Sequence, residues 1–270
     1  MTSAIATTQP TALATMGDFA IPSQQGSQLY PALQVSTYRP GADSKPVWVF
    51  SPDSAALFSE SAQSLLQLES VTCRYKDSVE MLKPLAGLRF AVLAYPKTFT
   101  QNKDSKSIDY LREGVKFKEN GLVSVVKLLL CPIVDGQPLE DDNGVPQAIT
   151  LKLTSTRAGL IKSKDAGAVT LDRLNRELLK AAKKSNGWLL QLASIGISPI
   201  VREISSSTDP NLSSMAIDFA LDTAIPLDSS HWAGMAAFAQ SQAILDYNAN
   251  PFNIKSNATG FDVLDSEIEF

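Results

Sequence analysis

The chain of 270 residues contains one histidine and two cysteines, which narrows the chemistry available to it. A Ser/His/Asp or Cys/His mechanism would have to use His231, and a metal centre with several histidine ligands is excluded. Cys73 and Cys131 form no CxxC motif, so we predict neither a disulfide framework nor a zinc site. GxGxxG, GxxxxGK[ST] and HExxH motifs do not occur. We therefore expect a protein that is not an enzyme and that uses no cofactor or metal.

Charge and long apolar runs are also scarce. Charged residues make up 19% of the chain, below the usual quarter, and no apolar run reaches the roughly 18 residues that a membrane helix needs. Residues 1–18 contain no Lys or Arg and no apolar stretch, unlike a secretory signal. Hydrophobic residues make up 44%, enough for a buried core. We expect a folded cytoplasmic protein with no membrane partner.

The charges that are present are unevenly placed. Residues 71–184 hold 20 of the 24 Lys and Arg residues, against 13 acidic residues. The last ten residues contain four acids and no base. A basic middle followed by an acidic end is the pattern that a functional interpretation has to explain.

Composition divides the chain into three parts. Residues 1–28 are rich in Thr, Ser, Gln and Ala, and we predict a disordered N-terminal arm. Residues 29–247 form the predicted β-rich domain. Residues 248–270 have little periodicity and form the predicted tether and acidic tail.

Hydrophobic periodicity predicts the elements of the domain. Runs of β-branched and aromatic residues predict strands, and capped amphipathic or small-residue segments predict helices. Predicted strands lie at 30–38, 45–50, 71–75, 88–95, 123–134, 149–154, 188–194, 198–205 and 214–225. Predicted helices lie at 52–68, 170–184 and 228–247, 96–109 is predicted as a polar loop, and 123–154 is predicted as a β-hairpin with an elongated turn. We expect Thr170 to cap the second helix, Trp48 to be buried in the core, and Lys152 to lie on the exposed face of its strand. We expect an α+β fold, either a β-rich barrel of the oligonucleotide-binding type or a strongly bent antiparallel sheet, with inserted and C-terminal helices.

Basic and aromatic residues are interleaved in the middle of the chain, which is typical of proteins that bind single-stranded nucleic acid. Cations neutralise phosphates, and rings stack on bases. The alternative is that the rings belong to the core and the lysines only face solvent. The candidate nucleic-acid-binding residues are Arg74, Tyr75, Lys76, Arg89, Tyr95, Lys97, Phe99, Lys103, Lys106, Tyr110, Arg112, Lys116, Phe117, Lys118 and Lys152.

The chain ends in DVLDSEIEF, where acidic and apolar residues alternate. This end resembles the acidic tip of bacterial and phage single-stranded DNA-binding proteins, which close on a run of acids, an Ile, one further residue and a Phe. Glu269 stands where that family usually has Pro. The resemblance implies a docking peptide for replication or recombination proteins, with a ring that fills a pocket and acids that meet a basic rim. Its residues would be Asp262, Asp265, Glu267, Ile268, Glu269 and Phe270.

These observations predict a single-stranded DNA-binding protein of low sequence specificity, homo-oligomeric, that acts in DNA replication or recombination and recruits partners through its tail. RNA remains a possible ligand. One alternative is a phage-type structural or assembly protein, which the small-residue helix 228–247 would suit. Another is a hydrolase built on His231, which would need an acid and a nucleophile beside that helix.

Overall fold

The computed structural model describes residues 30–36, 46–74, 78–94, 98–110, 121–154, 170–184, 189–205 and 213–252. The predicted arm at 1–28 and the tail from residue 253 onward lie outside these ranges. The described part is a mixed α/β structure built on one large sheet.

Within the described residues the chain forms fourteen strands and five α-helices. The strands are β1 (Ala32–Val35), β2 (Trp48–Phe50), β3 (Leu68–Arg74), β4 (Ser78–Pro84), β5 (Leu88–Val92), β6 (Phe99–Asn102), β7 (Ile108–Tyr110), β8 (Leu122–Val134), β9 (Gln137–Pro138), β10 (Ile149–Thr154), β11 (Ala193–Ser194), β12 (Ile197–Ser205), β13 (Ser213–Leu221) and β14 (Ile225–Pro226). The helices are α1 (Pro52–Ala55), α2 (Glu60–Leu66), α3 (Leu171–Lys184), α4 (Trp232–Ala239) and α5 (Gln242–Ala249). Short 3₁₀ turns cover Leu190–Leu192 and Ser229–His231.

The large sheet has the strand order β3-β4-β2-β1-β10-β8-β6-β7, and β5 and β9 also pair with β8. Every pair is antiparallel except β1 with β10. β3 and β7 lie at opposite edges, and in the described part of the chain they do not pair with each other. The barrel that we predicted is therefore not observed. The sheet is open, as in the alternative of a bent antiparallel sheet.

β8 is the organising strand, with thirteen residues. It pairs with β10 along one edge, which confirms the predicted hairpin at 123–154. Along its other edge β6 and β5 lie one after the other, because Phe99 is opposite Val125 and Val92 is opposite Leu130. β8 is long enough to pair with four strands, and its side chains are buried on both faces, as in a central strand.

The two faces of the sheet are covered by different helices. Leu151 on β10 and Leu128 on β8 point to the main core, which α3 covers with Leu174 and Leu178. Strand residues that alternate with these, such as Leu129, face the other side of the sheet and belong to a second hydrophobic cluster, which residues of α4 and α5 complete. Successive strand residues alternate between the two faces, so β5 and β8 contribute to both clusters, as Val92 and Ala91 of β5 show.

Trp48 ties the sheet to the C-terminal half of the chain. Its ring is buried, as predicted, and stacks on Phe219 with centroids 5.6 Å apart. Its Nε1–H donates a hydrogen bond of 2.7 Å to the carbonyl oxygen of Ile197. The base of the β12–β13 hairpin is thereby fixed to the main core.

Two predicted helices are each broken in two. The helix predicted at 52–68 begins at Pro52 as expected but is interrupted where Phe58 turns into the core, and Ser59 then caps α2 by accepting a hydrogen bond from the Ala62 N–H. The helix predicted at 228–247 breaks at Gln240–Ser241 between α4 and α5. In the described ranges no helix is both long and apolar enough to cross a bilayer.

Three segments differ from the strand prediction. The segment 96–109, predicted as a loop, contains β6 and β7, since Phe99 and Ile108 are buried within a polar sequence. β4 was not predicted because its pattern (SVEMLKP) is irregular, and its pairing with β3 organises it. Within the segment 188–194, which was predicted as one strand, Leu190–Leu192 form a 3₁₀ turn and only Ala193–Ser194 form a strand, β11.

Candidate nucleic-acid interface

The structure separates the basic residues that the sequence groups together. Arg74 lies at the tip of the β3–β4 hairpin, at one edge of the sheet. Lys103 and Lys106 lie in the β6–β7 turn, at the opposite edge. The strand directions from β3 to β7 show that the tips of the β3–β4 and β6–β7 hairpins also point to opposite ends of the sheet. Arg74 therefore lies at the corner of the sheet diagonally opposite Lys103 and Lys106, and these residues cannot form one basic patch.

Arg89 has a structural role in the described fold. Its guanidinium donates hydrogen bonds to the hydroxyl and carbonyl oxygens of Ser194 and to the Thr223 carbonyl oxygen. Half-buried, it joins β5 to β11 and to the segment before β14. A side chain with three protein acceptors has few donors left for a phosphate.

Phe99 was predicted to stack on bases, and in the structure its ring is fully buried. It packs edge to face against Phe252, with centroids 5.0 Å apart. A ring in this position belongs to the core and offers no surface for a base. The alternative stated for the aromatic residues therefore holds for Phe99.

Lys152 is half-buried, although the alternation of β10 predicted an exposed side chain. It lies opposite Lys127 of β8. Lys127 Nζ is 6.0 Å from the ring centroid of Tyr247 and 5.9 Å from that of Phe252. The C-terminal part of the fold covers this face of the sheet, which the pattern of β10 alone does not indicate.

Lys103 and Lys106 are exposed in a turn that is well ordered by hydrogen bonds. The Asn102 side-chain oxygen accepts from the N–H groups of Asp104 and Ser105, and Lys106 Nζ donates to the Lys103 carbonyl oxygen. The turn therefore holds its cations at a defined corner.

Most of the other predicted residues lie outside the part of the chain that the structure describes. Tyr110 is on β7 opposite Phe99, but only its backbone is described. The following lie outside the described residues: Tyr75, Lys76, Tyr95, Lys97, Arg112, Lys116, Phe117, Lys118, and the tail residues Asp262, Asp265, Glu267, Ile268, Glu269 and Phe270.

The most cationic surface of the described fold lies on α3 and was not among the predicted binding residues. Of the Lys and Arg side chains that are described, six are exposed and four of these lie on this helix. They follow one another at intervals of three and four residues, which places them within about 80° of one face over about 15 Å. We call this surface the α3 ridge, formed by Arg173, Arg176, Lys180 and Lys183. The spacing could have revealed it, because the helix itself was correctly predicted.

α3 is held rigidly beneath the ridge. Leu174, Leu178 and Ala182 on its opposite face are buried in the main core. Thr170 caps the helix, as predicted, by accepting a hydrogen bond from the Arg173 N–H at 3.2 Å. The buried face and the cap together fix the direction in which the cations project.

Acidic residues balance only part of the ridge. Glu177 accepts a hydrogen bond of 2.8 Å from Lys180 Nζ, and this contact lowers the pKa of Glu177. Asp172 is in the first turn, where a carboxylate interacts favourably with the helix dipole. Lys183 is near the C-terminal end, where a cation is favourable. The helix keeps a net positive charge at its surface.

An open groove runs beside the ridge. Its volume is about 430 Å³, and it lies between Lys180 and Lys183 on one side and Thr223 and Ala224 on the other. The Glu177 carboxylate, which Lys180 binds, also lines the groove, so the groove combines two cations and one anion with small, weakly polar side chains. This arrangement can accept an extended anionic chain.

The cysteines and carboxylates give no catalytic or metal-binding arrangement in the described part of the chain. Burial raises the pKa of the Cys131 thiol and, with the nearby Glu80 carboxylate, that of Cys73. Asp141 orders the turn to Val145 through its side chain, as expected of a polar turn. Across the described ranges no three His, Cys, Asp or Glu residues converge to hold a metal ion.

No protein-family model matches the sequence, and comparisons with curated proteins and with solved structures find no match. The resemblance of the tail to single-stranded DNA-binding proteins therefore stays a prediction.

Proposed function

We propose that this protein binds single-stranded DNA with little sequence preference, as an accessory of DNA replication or recombination. The observation that carries the proposal is the α3 ridge, with four exposed cations on one face of a helix whose other face is buried. Cations held in a row on a rigid element can neutralise successive phosphates without losing further chain entropy.

The groove beside the ridge supports an extended strand rather than a duplex. A duplex contacts a helix through a groove or through phosphates on two strands, whereas a single strand can lie along one surface. The groove next to Lys180 and Lys183 has room for such a strand. The predicted stacking residues Tyr95 and Phe117 would add the preference for unpaired bases.

The test is fluorescence anisotropy of a labelled oligo-dT and of the matching duplex, at several salt concentrations. Each phosphate contact with a single strand contributes about −0.7 to the slope of log K against log salt. The double variant Arg173→Gln with Arg176→Gln removes two cations and keeps good helix formers. We expect affinity for oligo-dT to fall at least tenfold and the slope to become shallower by about 1.4.

The control is the double variant Lys83→Gln with Arg202→Gln, which lowers the net charge by the same amount on β4 and β12. We expect its affinity to stay within threefold of the unmodified protein. Equal losses in both variants would show a general charge effect and would remove α3 as the site. Failure to bind either nucleic acid at low salt would overturn the proposed function.

The β12–β13 hairpin favours a second candidate, an assembly protein. Its two nine-residue strands pair only with each other in the described structure. Ile200 and Val201 are adjacent on β12 and both exposed, so both faces of the hairpin meet solvent. An isolated two-stranded ribbon is marginally stable and offers two free edges for pairing.

Sedimentation velocity without nucleic acid tests this candidate. Assembly through the ribbon predicts larger species as concentration rises, and their loss in Val201→Lys, which keeps the strand exposed but adds a charge. A monomer across the whole concentration range would leave DNA binding as the only proposed role.

A further inference from the structure

A cavity of about 120 Å³ lies on the side of the sheet that α4 covers. One wall is the segment that leads from β9 to β10, and the other is the start of α4 with the turn into α5. Val145, Met235 and Phe238 form its apolar surface. Glu140, His231 and Ser241 contribute polar groups.

Two of these polar groups are positioned for a ligand. The Ser241 hydroxyl oxygen is buried and, within the residues that the structure describes, has no hydrogen-bond partner. Ser241 precedes α5 at the capping position, yet its side chain makes no capping hydrogen bond. A buried hydroxyl without a partner is unfavourable, so a bound group that hydrogen-bonds to it would be favoured.

The Glu140 carboxylate stands at the cavity wall. Its Oε2 atom is 3.9 Å from the point that a Cβ atom on Gly144 would occupy, and Gly144 itself lines the cavity. Gly144 has a φ of +75°, a conformation that favours glycine. The turn thereby leaves the carboxylate close to the cavity without a side chain in front of it.

The surroundings of the cavity are anionic. Its walls come from two stretches of sequence, 128–151 and 203–254, that contain no Lys or Arg. Both stretches carry several acids, among them Asp141 and Asp142, which follow Glu140 in the sequence, and Asp228, which precedes Ser230 by two residues. His231 is the one basic side chain on the walls. The field at the cavity therefore favours a cation and opposes a phosphate or a carboxylate.

We propose that this cavity binds a small organic cation, a primary ammonium on a short apolar chain. The ammonium donates hydrogen bonds to the Glu140 carboxylate and the Ser241 hydroxyl. The apolar chain lies on Met235 and Phe238. A dry cavity of about 150 Å³ accepts benzene in another protein, so 120 Å³ suits a chain of about four carbons. This site is separate from the α3 ridge and does not depend on DNA binding.

The single histidine provides the readout. The imidazole proton signals of His231 can be assigned in an NMR spectrum without ambiguity, and they lie beside the proposed ligand. Titration with n-butylammonium chloride should shift these signals to saturation. Sodium butyrate, which has the same apolar chain and the opposite charge, should give no saturable shift.

Glu140→Gln should weaken n-butylammonium binding at least tenfold, the scale of a charge-assisted hydrogen bond. Asp142→Asn is the matched control, because it removes the same charge from an exposed neighbour that does not line the cavity. It should change the affinity less than threefold. Ser241→Ala should weaken binding while the dispersion of the remaining NMR signals shows an intact fold.

Three results would overturn the proposal. They are equal shifts with butylammonium and butyrate, a shift that stays linear with concentration, and an equal effect of Glu140→Gln and Asp142→Asn. Equal effects of the two substitutions would mean that the overall negative charge on this side of the molecule attracts the cation, without a specific contact to Glu140.

Discussion

Lys127 and Lys152 lie directly opposite each other on the antiparallel strands β8 and β10, with their side chains on the same face of the sheet. Like charges in directly opposed positions are unfavourable. Lys127 is also half-buried between the rings of Tyr247 and Phe252, which interact with a cation but remove water from it. Burial lowers the pKa of Lys127 for this reason.

Lys127→Met should therefore stabilise the fold at neutral pH, by roughly 0.5–1 kcal/mol, the scale of an unfavourable cross-strand pair. The unfolded chain holds the Lys127 proton more tightly than the folded protein, so the charged lysine reduces stability at neutral pH. This penalty decreases as the pH rises from the lowered pKa towards the ordinary value of about 10.4. The gain from Lys127→Met should be largest at pH 7 and small at pH 10.

Urea unfolding at both pH values measures this difference. Lys103→Met removes an exposed lysine from the β6–β7 turn and should show no such dependence on pH. A gain from Lys127→Met that is equal at pH 7 and pH 10 would assign the effect to apolar packing and not to charge.

Trp48 and Trp232 provide a matched pair of indole donors. Trp48→Phe keeps an aromatic ring but leaves the buried Ile197 carbonyl without its donor, and it should reduce the free energy of unfolding by about 2–3 kcal/mol. Trp232 donates to the Leu227 carbonyl oxygen at 2.9 Å and is only half-buried. Trp232→Phe should cost less than half as much, because water can replace the lost donor. Similar losses in urea unfolding would contradict this account.

The Thr170 cap links stability to the α3 ridge. Thr170→Ala removes the acceptor for the Arg173 N–H and should destabilise the protein by about 1 kcal/mol. Fraying of the first turn should also displace Arg173 and weaken oligo-dT binding two- to threefold. Thr170→Ser keeps the acceptor and should restore both properties. Loss of DNA binding in Thr170→Ser would show that the threonine acts in another way.

The acidic tail should compete with DNA for the cations of the body. Changing Asp262, Asp265, Glu267 and Glu269 together to their amides should raise the affinity for oligo-dT several-fold at low salt, because a competing anion is removed. The effect should fade as salt screens both interactions. Anisotropy titrations at two salt concentrations measure it, and unchanged affinity at low salt would separate the tail from DNA binding.

Two of the residues predicted to bind nucleic acid have structural roles in the described fold, for physical reasons. Phe99 was assigned to base stacking because it lies among basic residues in a segment predicted as a loop, yet the segment forms a strand that pairs with β8 and places the ring in the core. Arg89 was assigned to phosphate binding, but the chain brings Ser194 and Thr223 to it from more than a hundred residues away. The sequence around a residue does not indicate partners that lie so far away along the chain.

Local composition determined the strand β8, the hairpin from β8 to β10, the capped helix α3 and the burial of Trp48. Each depends on hydrophobic periodicity or on a cap within a few residues, so neighbouring residues contain the information. Tertiary structure alone decided that the sheet is open, that the basic hairpin tips point to diagonal corners, and that Lys127 and Lys152 face each other. It also decided that Glu140, His231 and Ser241 share one cavity. These relationships depend on strand order and register, which arise from the packing of the whole core and not from any local segment.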